Sequence, residues 1–178
     1  IVSLPFAVSL LKPYQKSRIL TFFNPDRDPL GAGYQIIQSK IAIGSGGFFG
    51  KGFLKGTQSY LEFLPEKHTD FIFTLFSEEF GFLGSIMLLL LYILLIYRII
   101  SIGFYAKSFF SKLFCFGFAS AIFLYIFVNI SMVLGLLPIV GAPLPIMSYG
   151  GSSMLSIMLG LSIVMSCKIS SQDQISNY

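Results

Sequence analysis

The sequence predicts an all-α membrane protein that crosses the bilayer several times, and its composition and its runs without charge carry that prediction. Hydrophobic residues make up 54% of the 178 residues and charged residues only 11%, against roughly 25% charged residues in soluble domains. No acidic, basic or histidine residue occurs from Leu113 to Cys167, and Phe80–Tyr97 is a second such run. Each run is long enough to cross a hydrocarbon core of ~30 Å. Because backbone groups in lipid must pair within their own segment, both runs predict helices.

Four membrane helices are expected along a single membrane domain of residues 1–178. Residues 1–11 have the composition of the end of a hydrophobic helix, and since the chain opens on Ile1 rather than Met we expect it to be a fragment. Three prolines and a glycine between Leu136 and Pro145 stop one helix and allow a tight re-entry. The predicted segments are the helix end at 1–11, a long loop at 12–72, membrane helices at 73–97, 113–136 and 147–167, and a tail at 168–178.

The long loop concentrates the polar residues of the chain. Lys12–Asp70 holds eight of the twelve Lys and Arg residues, five of the eight acidic residues, and eight glycines between Gly31 and Gly56. Loops of this length in compact proteins are usually functional. We predict that Ser17–Phe23 and Gly33–Ile43 form short amphipathic helices lying on the membrane surface. The apolar side of the second helix would consist of Ile36, Ile37, Ile41 and Ile43.

The charge distribution gives conflicting signals about orientation. Alternation of the helices places the long loop and the 136–146 turn on one side of the membrane, and the 98–112 loop and the tail on the other. A simple count of eight basic residues against four would put the long loop in the cytoplasm. The positive-inside rule is weak for segments of ~60 residues, however, and reliable for short loops. The short loop carries three basic residues and no acid, so we expect it inside and the long loop outside.

The glycine-rich stretch Gly44–Gly52 invites comparison with phosphate-binding loops but matches neither nucleotide motif. A Walker pattern ending at Gly50-Lys51 would need glycine at 45 and a hydroxyl residue at 52, where the chain has Ser45 and Gly52. A dinucleotide fingerprint meets Phe49 in place of its third glycine. Two interpretations stay open. Either the stretch is a turn that lets chain segments pack closely, or its amides form a concavity for a diphosphate, assisted by Lys40, Lys51 and Lys55.

The densest cluster of ionisable residues, Glu62–Asp70, runs directly into the first full membrane helix. Asp70 is therefore expected at a membrane surface. It could cap the helix N-terminus, where a carboxylate accepts unpaired amide bonds. Alternatively, it could be a partly desolvated general base whose pKa is tuned by Lys67 and His68 or by a bound cation.

Further polar residues lie in the apolar segments. Glu78 and Glu79 fall one to two turns into the first full membrane helix, where a carboxylate is costly and therefore a functional candidate, unless it reaches the interface or bonds a neighbouring helix. The small and hydroxyl residues of Pro143–Ser153 favour close helix packing over substrate contact. Asn129, alone in an apolar helix, is expected to bond another helix. No serine nucleophile motif occurs.

Several longer strings are specific enough to compare with known families. They are Asp28–Gly47, Gly50–Gly52, Gly56–Gln58, Phe63–Phe73, Glu78–Gly81 and Pro143–Ser153. Together they resemble the shape, elongation, division and sporulation (SEDS) family over about Asn24–Cys167. They resemble its RodA branch more than its FtsW division branch, because the IAIGSGG, GKG, GTQ and HTDFIF elements occur together.

This resemblance implies a bacterial inner-membrane protein of about ten helices, of which the chain would supply the last four, with the long loop extracytoplasmic and the C-terminus inside. The implied activity is polymerisation of lipid II into peptidoglycan glycan strands during elongation and rod-shape maintenance. The family's essential loop aspartate falls on Asp70. A divalent metal ion, Mg²⁺ or Mn²⁺, is associated with the activity, without an organic cofactor. The implied partners are undecaprenyl-diphosphate-linked glycan and a class B penicillin-binding protein transpeptidase, and not nucleic acid.

The resulting hypothesis makes Asp70 either the general base or a metal ligand. Further candidates for substrate contact are Lys40, Lys51, Glu66, Lys67, His68 and Glu78. A transporter of a lipid-linked precursor is the main alternative, although it would place its ionisable groups between helices near the membrane midplane. A non-catalytic scaffold of the elongation machinery is another, and it would not need Asp70.

Overall fold

The computed structural model describes residues 13–24, 31–56 and 69–176, and in these ranges it contains helices and no strand. The helices are α1 (Pro13–Phe23), α2 (Ala32–Gly46), α3 (Ile72–Tyr105), α4 (Phe109–Val133) and α5 (Gly151–Ser176). Three of them, α3, α4 and α5, are long and apolar enough to cross a membrane. The predicted all-α membrane class is therefore confirmed. The helix end predicted at 1–11 lies outside the described residues.

The first two membrane helices extend beyond the predicted segments on the side of their short connection. α3 continues past position 97 because its packing continues: Ile99 is buried, and a Cβ added to Gly103 would lie 2.9 Å from the Cβ of Cys115 on α4. α4 begins at Phe109 rather than at 113, with Lys112 in its first turn. The basic residues that end the apolar runs therefore do not end the helices.

The opposite ends of α4 and α5 are set by the segment between them. α4 ends at Val133 rather than at 136, because Gly135 adopts a positive φ of 68°. α5 begins at Gly151 rather than at 147, because the turn before it includes Ile146 at a φ of 70°. It continues past 167 to Ser176, since the polar residues there can remain helical outside the apolar span.

Close contacts between small and large residues hold the spanning helices together. Cys115 on α4 is buried beside Gly103 of α3, and Gly160 on α5 faces the ring of Phe118 on α4, which would overlap an added Cβ. Lipid offers helices no hydrophobic gain from pairing, so association depends on such close packing.

α3 is interrupted at Gly81, whose backbone is non-helical with φ 67° and ψ −163°. The part after the break, residues 82–105, rises about 36 Å at 1.5 Å per residue and can span the bilayer core by itself. The glycine-rich stretch docks into the break and replaces the lost helical bonds. Four backbone bonds join the two segments: Lys51 N to Glu78 O (3.0 Å), Gly52 N to Glu79 O (3.0 Å), Phe82 N to Gly47 O (2.9 Å) and Leu83 N to Phe48 O (3.2 Å).

Three glycines in this junction face backbone atoms directly. An added Cβ would overlap Ser77 O at Gly46, Glu79 O at Gly50, and the Gly50 amide at Gly81. The structure therefore supports the packing interpretation of the glycine-rich stretch. Two of its amides, those at positions 51 and 52, are already bonded to α3.

The two predicted amphipathic helices are present as α1 and the longer α2. α2 lies along α3 and reaches the end of α4, where Ser39 Oγ donates to Val133 O at 2.6 Å. Its predicted apolar side is only partly correct, because Ile36 is buried whereas Ile37 and Ile41 are exposed. The buried stripe instead includes small residues, which let α2 approach α3 closely: Ser39, Ala42 and Gly46.

Candidate functional site

Asp70 lies in the turn that leads into α3. The N-cap position is occupied by Phe71, and no side chain caps the helix there. The alternative in which the Asp70 carboxylate caps α3 is therefore wrong. Phe71 is fully buried, and its carbonyl accepts the first helical bond, from Thr74 N at 3.0 Å. Burial of Phe71 thus fixes the chain immediately after Asp70.

The main chain of Asp70 is bound by Asn129 of α4. The Asn129 side-chain amide donates to Asp70 O at 2.8 Å and to Ala142 O at 2.6 Å, and the residue has no exposed surface. We predicted that Asn129 would bond another helix. It instead joins the turn before α3 to the segment between α4 and α5.

Ser148 makes a parallel connection one residue earlier. Its hydroxyl donates to Thr69 O at 2.6 Å and accepts from Leu144 N at 2.6 Å, and the residue is only 7% exposed. We call Leu136–Pro145, between α4 and α5, the proline-rich segment. It is also tied to α3 by Tyr92, whose hydroxyl donates to Pro145 O at 2.5 Å. These bonds give residues 142–148 a defined position against the Asp70 turn.

The Asp70 carboxylate lies beside Gly141. A Cβ added to Gly141 would be 3.2 Å from Asp70 Oδ2, and Gly141 adopts a φ of 79° that disfavours other residues. Asp70 is half-buried. A glycine at this position therefore leaves space for the carboxylate at the edge of the proline-rich segment.

Two of the predicted substrate contacts bind each other. Lys51 Nζ and Glu78 Oε1 are 2.7 Å apart, with Glu78 fully buried and the Lys51 side chain 27% exposed. Glu78 lies eight positions after Asp70, which corresponds to about 12 Å along a helix. The ion pair therefore belongs to the helix break and not to the immediate surroundings of Asp70.

Lys40 belongs to α2 and lies against the C-terminal end of α4, which is also the end that contains Asn129. Its side chain is exposed and runs over Gly135, where an added Cβ would be 2.7 Å from Lys40 Nζ. A cation in this position is favoured by the partial negative charge of a helix C-terminus. The other three candidates for substrate contact, Glu66, Lys67 and His68, lie outside the described residues.

The donor set for a divalent metal ion is small in the part of the chain that the structure describes. No group of three or more His, Cys, Asp and Glu side chains is close enough there to hold a metal ion. Asp70 is a hard oxygen ligand of the kind that Mg²⁺ and Mn²⁺ prefer, and Mg²⁺ commonly binds one or two carboxylates together with substrate phosphates. Among the described residues, Asp70 therefore offers one carboxylate of the kind that such an ion binds.

Sequence reasoning missed the residues that hold the Asp70 turn. Ser148 was included only within a string assigned to helix packing, and Gly141 only as part of a helix stop. The available signal was the combination of a lone asparagine near the end of α4 with a proline-rich segment directly after it. Such a segment leaves backbone groups unpaired that side chains must bond.

Comparison with protein families gives a match over almost the whole chain. The profile of the FtsW, RodA and SpoVE family, described as cell cycle proteins, matches residues 1–173. Peptidoglycan glycosyltransferase MrdB of Escherichia coli strain K12 is 56% identical over 157 residues, which are 88% of this chain and 42% of that protein. Peptidoglycan glycosyltransferase RodA of Treponema pallidum strain Nichols is 46% identical over 159 residues, 89% of this chain and 37% of that protein.

A sporulation protein and two solved structures are also similar. Stage V sporulation protein E of Bacillus subtilis strain 168 is 42% identical over 156 residues, 88% of this chain and 42% of that protein. A structure of a peptidoglycan synthase complex that coordinates polymerization and crosslinking matches with a TM-score of 0.71 at 32% identity, covering 97% of this chain and 48% of that chain. The crystal structure of an aspartate-to-alanine mutant of the Thermus thermophilus rod shape determining protein RodA matches with a TM-score of 0.54 at 34% identity, covering 72% and 38%. The chain spans about two-fifths of the length of these curated relatives.

Proposed function

Because the chain belongs to the FtsW, RodA and SpoVE family of cell cycle proteins, we propose that it forms part of a peptidoglycan glycosyltransferase that polymerises lipid II during cell elongation. The observation that carries this proposal is the position of Asp70. It is a half-buried residue directly before the N-terminus of a membrane helix, and its main-chain carbonyl accepts a bond from α4. Higher identity to the MrdB and RodA relatives than to the sporulation protein supports a role in elongation.

In the proposed reaction Asp70 acts on the sugar hydroxyl. Its carboxylate accepts the proton from the 4-hydroxyl of N-acetylglucosamine on lipid II as the hydroxyl oxygen attacks the anomeric carbon of the growing chain. The new glycosidic bond forms while the bond from that carbon to undecaprenyl diphosphate breaks. The electron pair leaves with the diphosphate. A carboxylate held at the membrane surface suits this role, because both lipid-linked substrates present their sugars there.

The charge that develops on the diphosphate needs positive partners. Lys51 is paired with Glu78. Among the described lysines, Lys40 of α2, which lies beside the end of α4, is therefore the better candidate to neutralise the diphosphate, together with the predicted Lys67 and His68. A Mg²⁺ or Mn²⁺ ion shared by Asp70 and the diphosphate would supply the same neutralisation.

We further propose that the segments around Asp70 face the outside of a bacterial inner membrane. Three spanning helices put the turn before α3 and the 134–150 segment on one side and the 106–108 connection on the other. The proposed partner is a class B penicillin-binding protein, whose transpeptidase would crosslink the new strands. The similarity to a complex that coordinates polymerization with crosslinking supports this pairing.

Substitution of Asp70 tests the catalytic role. The native protein, purified from membranes with its partner, would be given labelled lipid II in detergent, and glycan polymer would be measured for wild type and Asp70→Asn. Loss of a general base typically costs 10²–10⁴-fold in rate, and we expect a loss of that order. Asp173→Asn, which makes the same acid-to-amide change in the last turn of α5, should polymerise like wild type.

The alternatives give different results in the same experiment. Full polymer formation by Asp70→Asn would exclude Asp70 as base or essential metal ligand. Movement of lipid II across vesicle membranes by protein that forms no polymer would favour a transporter. Absence of both activities in the wild type, with partner binding retained, would favour a scaffold.

A further inference from the structure

We propose that Asn129 and Ser148 are positioning residues that place Asp70 for the transfer reaction by holding its turn against the proline-rich segment. This inference rests on the proposed function, because it assigns a purpose to the position of the Asp70 carboxylate. Both residues act through the main chain. Asn129 binds the carbonyl of Asp70 itself, and Ser148 binds the carbonyl of Thr69.

Each side chain makes two bonds, one to each segment. Asn129 donates to Asp70 O and to Ala142 O, while Ser148 donates to Thr69 O and accepts from Leu144 N. Two consecutive peptide units before α3 are therefore tied to two nearby peptide units of the 142–144 stretch. We call this set of four bonds the Asp70 clamp.

The two side chains of the clamp are buried, although their partners Thr69, Asp70 and Ala142 are half-buried. Asn129 has no exposed surface and Ser148 is 7% exposed. Removal of either side chain would leave backbone carbonyls or an amide without the partner that they have in the clamp, and unpaired backbone groups of this kind are costly. The turn would then shift to find other partners instead of keeping its present position.

The clamp determines where the carboxylate lies. Asp70 Oδ2 approaches Gly141, which directly precedes the clamped Ala142. A shift of the turn relative to residues 141–144 would therefore move the carboxylate away from the glycine. Misplacement of a catalytic group by about 1 Å can cost 10²-fold in rate. We accordingly expect clamp variants to lose kcat with little change in KM for lipid II.

The first test compares three serine variants of the native protein purified from membranes. Ser148→Ala removes both hydroxyl bonds and should lower kcat by about tenfold to 10²-fold. Ser148→Thr keeps a hydroxyl that can make the same bonds and should restore most of kcat. Ser162→Ala is the matched control, because that hydroxyl bonds only Met158 O within its own helix and is exposed; it should leave kcat unchanged.

The second test combines substitutions. Asn129→Leu keeps a similar side-chain volume but cannot donate, and we expect a loss of kcat comparable to that of Ser148→Ala. Because both residues hold one unit, the double variant should lose less than the product of the two single losses. In the Asp70→Asn background neither substitution should lower the residual rate further, since there is no carboxylate left to position.

A third measurement reports on the clamp without using the enzyme activity. Asp70→Cys would be labelled with a charged methanethiosulfonate reagent, and the protein without this substitution would give the background from native cysteines, of which Cys115 and Cys167 are buried. Adding Ser148→Ala should change the labelling rate several-fold, whereas Ser162→Ala should not.

The outcomes separate the two proposals. Full polymerase activity of Asp70→Asn would overturn the proposed catalytic role of Asp70, while the labelling rates would still test the clamp. Unchanged labelling together with an unchanged kcat in folded Ser148→Ala would overturn the clamp. An equal loss of kcat in the alanine and threonine variants would also overturn it, because the hydroxyl bonds would then be irrelevant.

Discussion

At the scale of single residues, Glu78 shows that a carboxylate in an apolar segment can have a structural purpose. The residue was a candidate for substrate contact because burial of a charge in a membrane helix is costly. In the structure Lys51 from the glycine-rich stretch pairs with it at 2.7 Å. The pair also lies where four backbone bonds fasten the same stretch to α3. Its purpose is therefore to hold the helix break together.

Removal of one partner of this pair should destabilise the protein unequally. Lys51→Met removes the cation 2.7 Å from a fully buried carboxylate and should cost up to about 3 kcal/mol, because breaking a buried pair from one side is expensive. Glu78→Gln leaves Lys51, which is partly exposed and can turn toward water, so the cost should be smaller. Thermal unfolding midpoints in detergent measure both.

Lys55→Met is the matched control for this experiment, since Lys55 lies three residues after the glycine-rich stretch and is exposed. Its midpoint should equal that of the wild type. If Lys51→Met melted like Lys55→Met, the ion pair would contribute nothing to the break. If Glu78→Gln abolished polymer formation without any change in midpoint, Glu78 would belong to the substrate site instead.

At the scale of helices, α3 was predicted as one continuous span and is in fact two helices joined at Gly81. The hydropathy pattern did not reveal the break, because Gly81 lies between Phe80 and Phe82, and Glu78 and Glu79 were interpreted as functional candidates. The information lies about thirty positions earlier, in the glycine-rich stretch that supplies the replacement bonds. Local helix propensity therefore does not predict the break, because the break depends on backbone bonds to a segment that is distant in the sequence.

Alanine substitutions within the glycine-rich junction should separate glycines needed for close approach from those that are not. Gly50→Ala and Gly81→Ala each place a Cβ on backbone atoms and occupy a positive φ. Both should therefore lower the unfolding midpoint strongly, by an amount equivalent to about 1–3 kcal/mol of backbone strain. Gly44→Ala, in helical α2 with nothing within 4 Å, should be neutral or stabilising by up to about 1 kcal/mol.

These three variants would be compared by thermal unfolding in one detergent. A stable Gly81→Ala protein would mean that α3 can run straight through position 81. The docking of the glycine-rich stretch onto α3 would then be dispensable for the fold.

At the scale of the whole molecule, the all-α membrane class and the three spanning helices followed from the sequence because they depend on hydropathy and backbone pairing alone. The ends of the helices did not follow, since Gly135 and Ile146 end and begin helices through positive φ angles that apolar runs do not reveal. Asp70 could be identified as a candidate from its position at a helix entrance. The clamp could not, because Asn129 and Ser148 reach it from segments nearly sixty and eighty positions away.

The orientation of the chain in the membrane is the prediction that depends on all the helices together. Three spans place position 108 and position 140 on opposite sides, and we expect the first in the cytoplasm because three basic residues and no acid lie at 98–112. Ser108 and Val140 are both exposed, so Ser108→Cys and Val140→Cys can each be labelled in intact cells with a membrane-impermeant maleimide. Val140→Cys should react at once, and Ser108→Cys only after the membrane is permeabilised. The reverse pattern would put Asp70 on the cytoplasmic side, away from the growing cell wall, and would contradict the proposed polymerase.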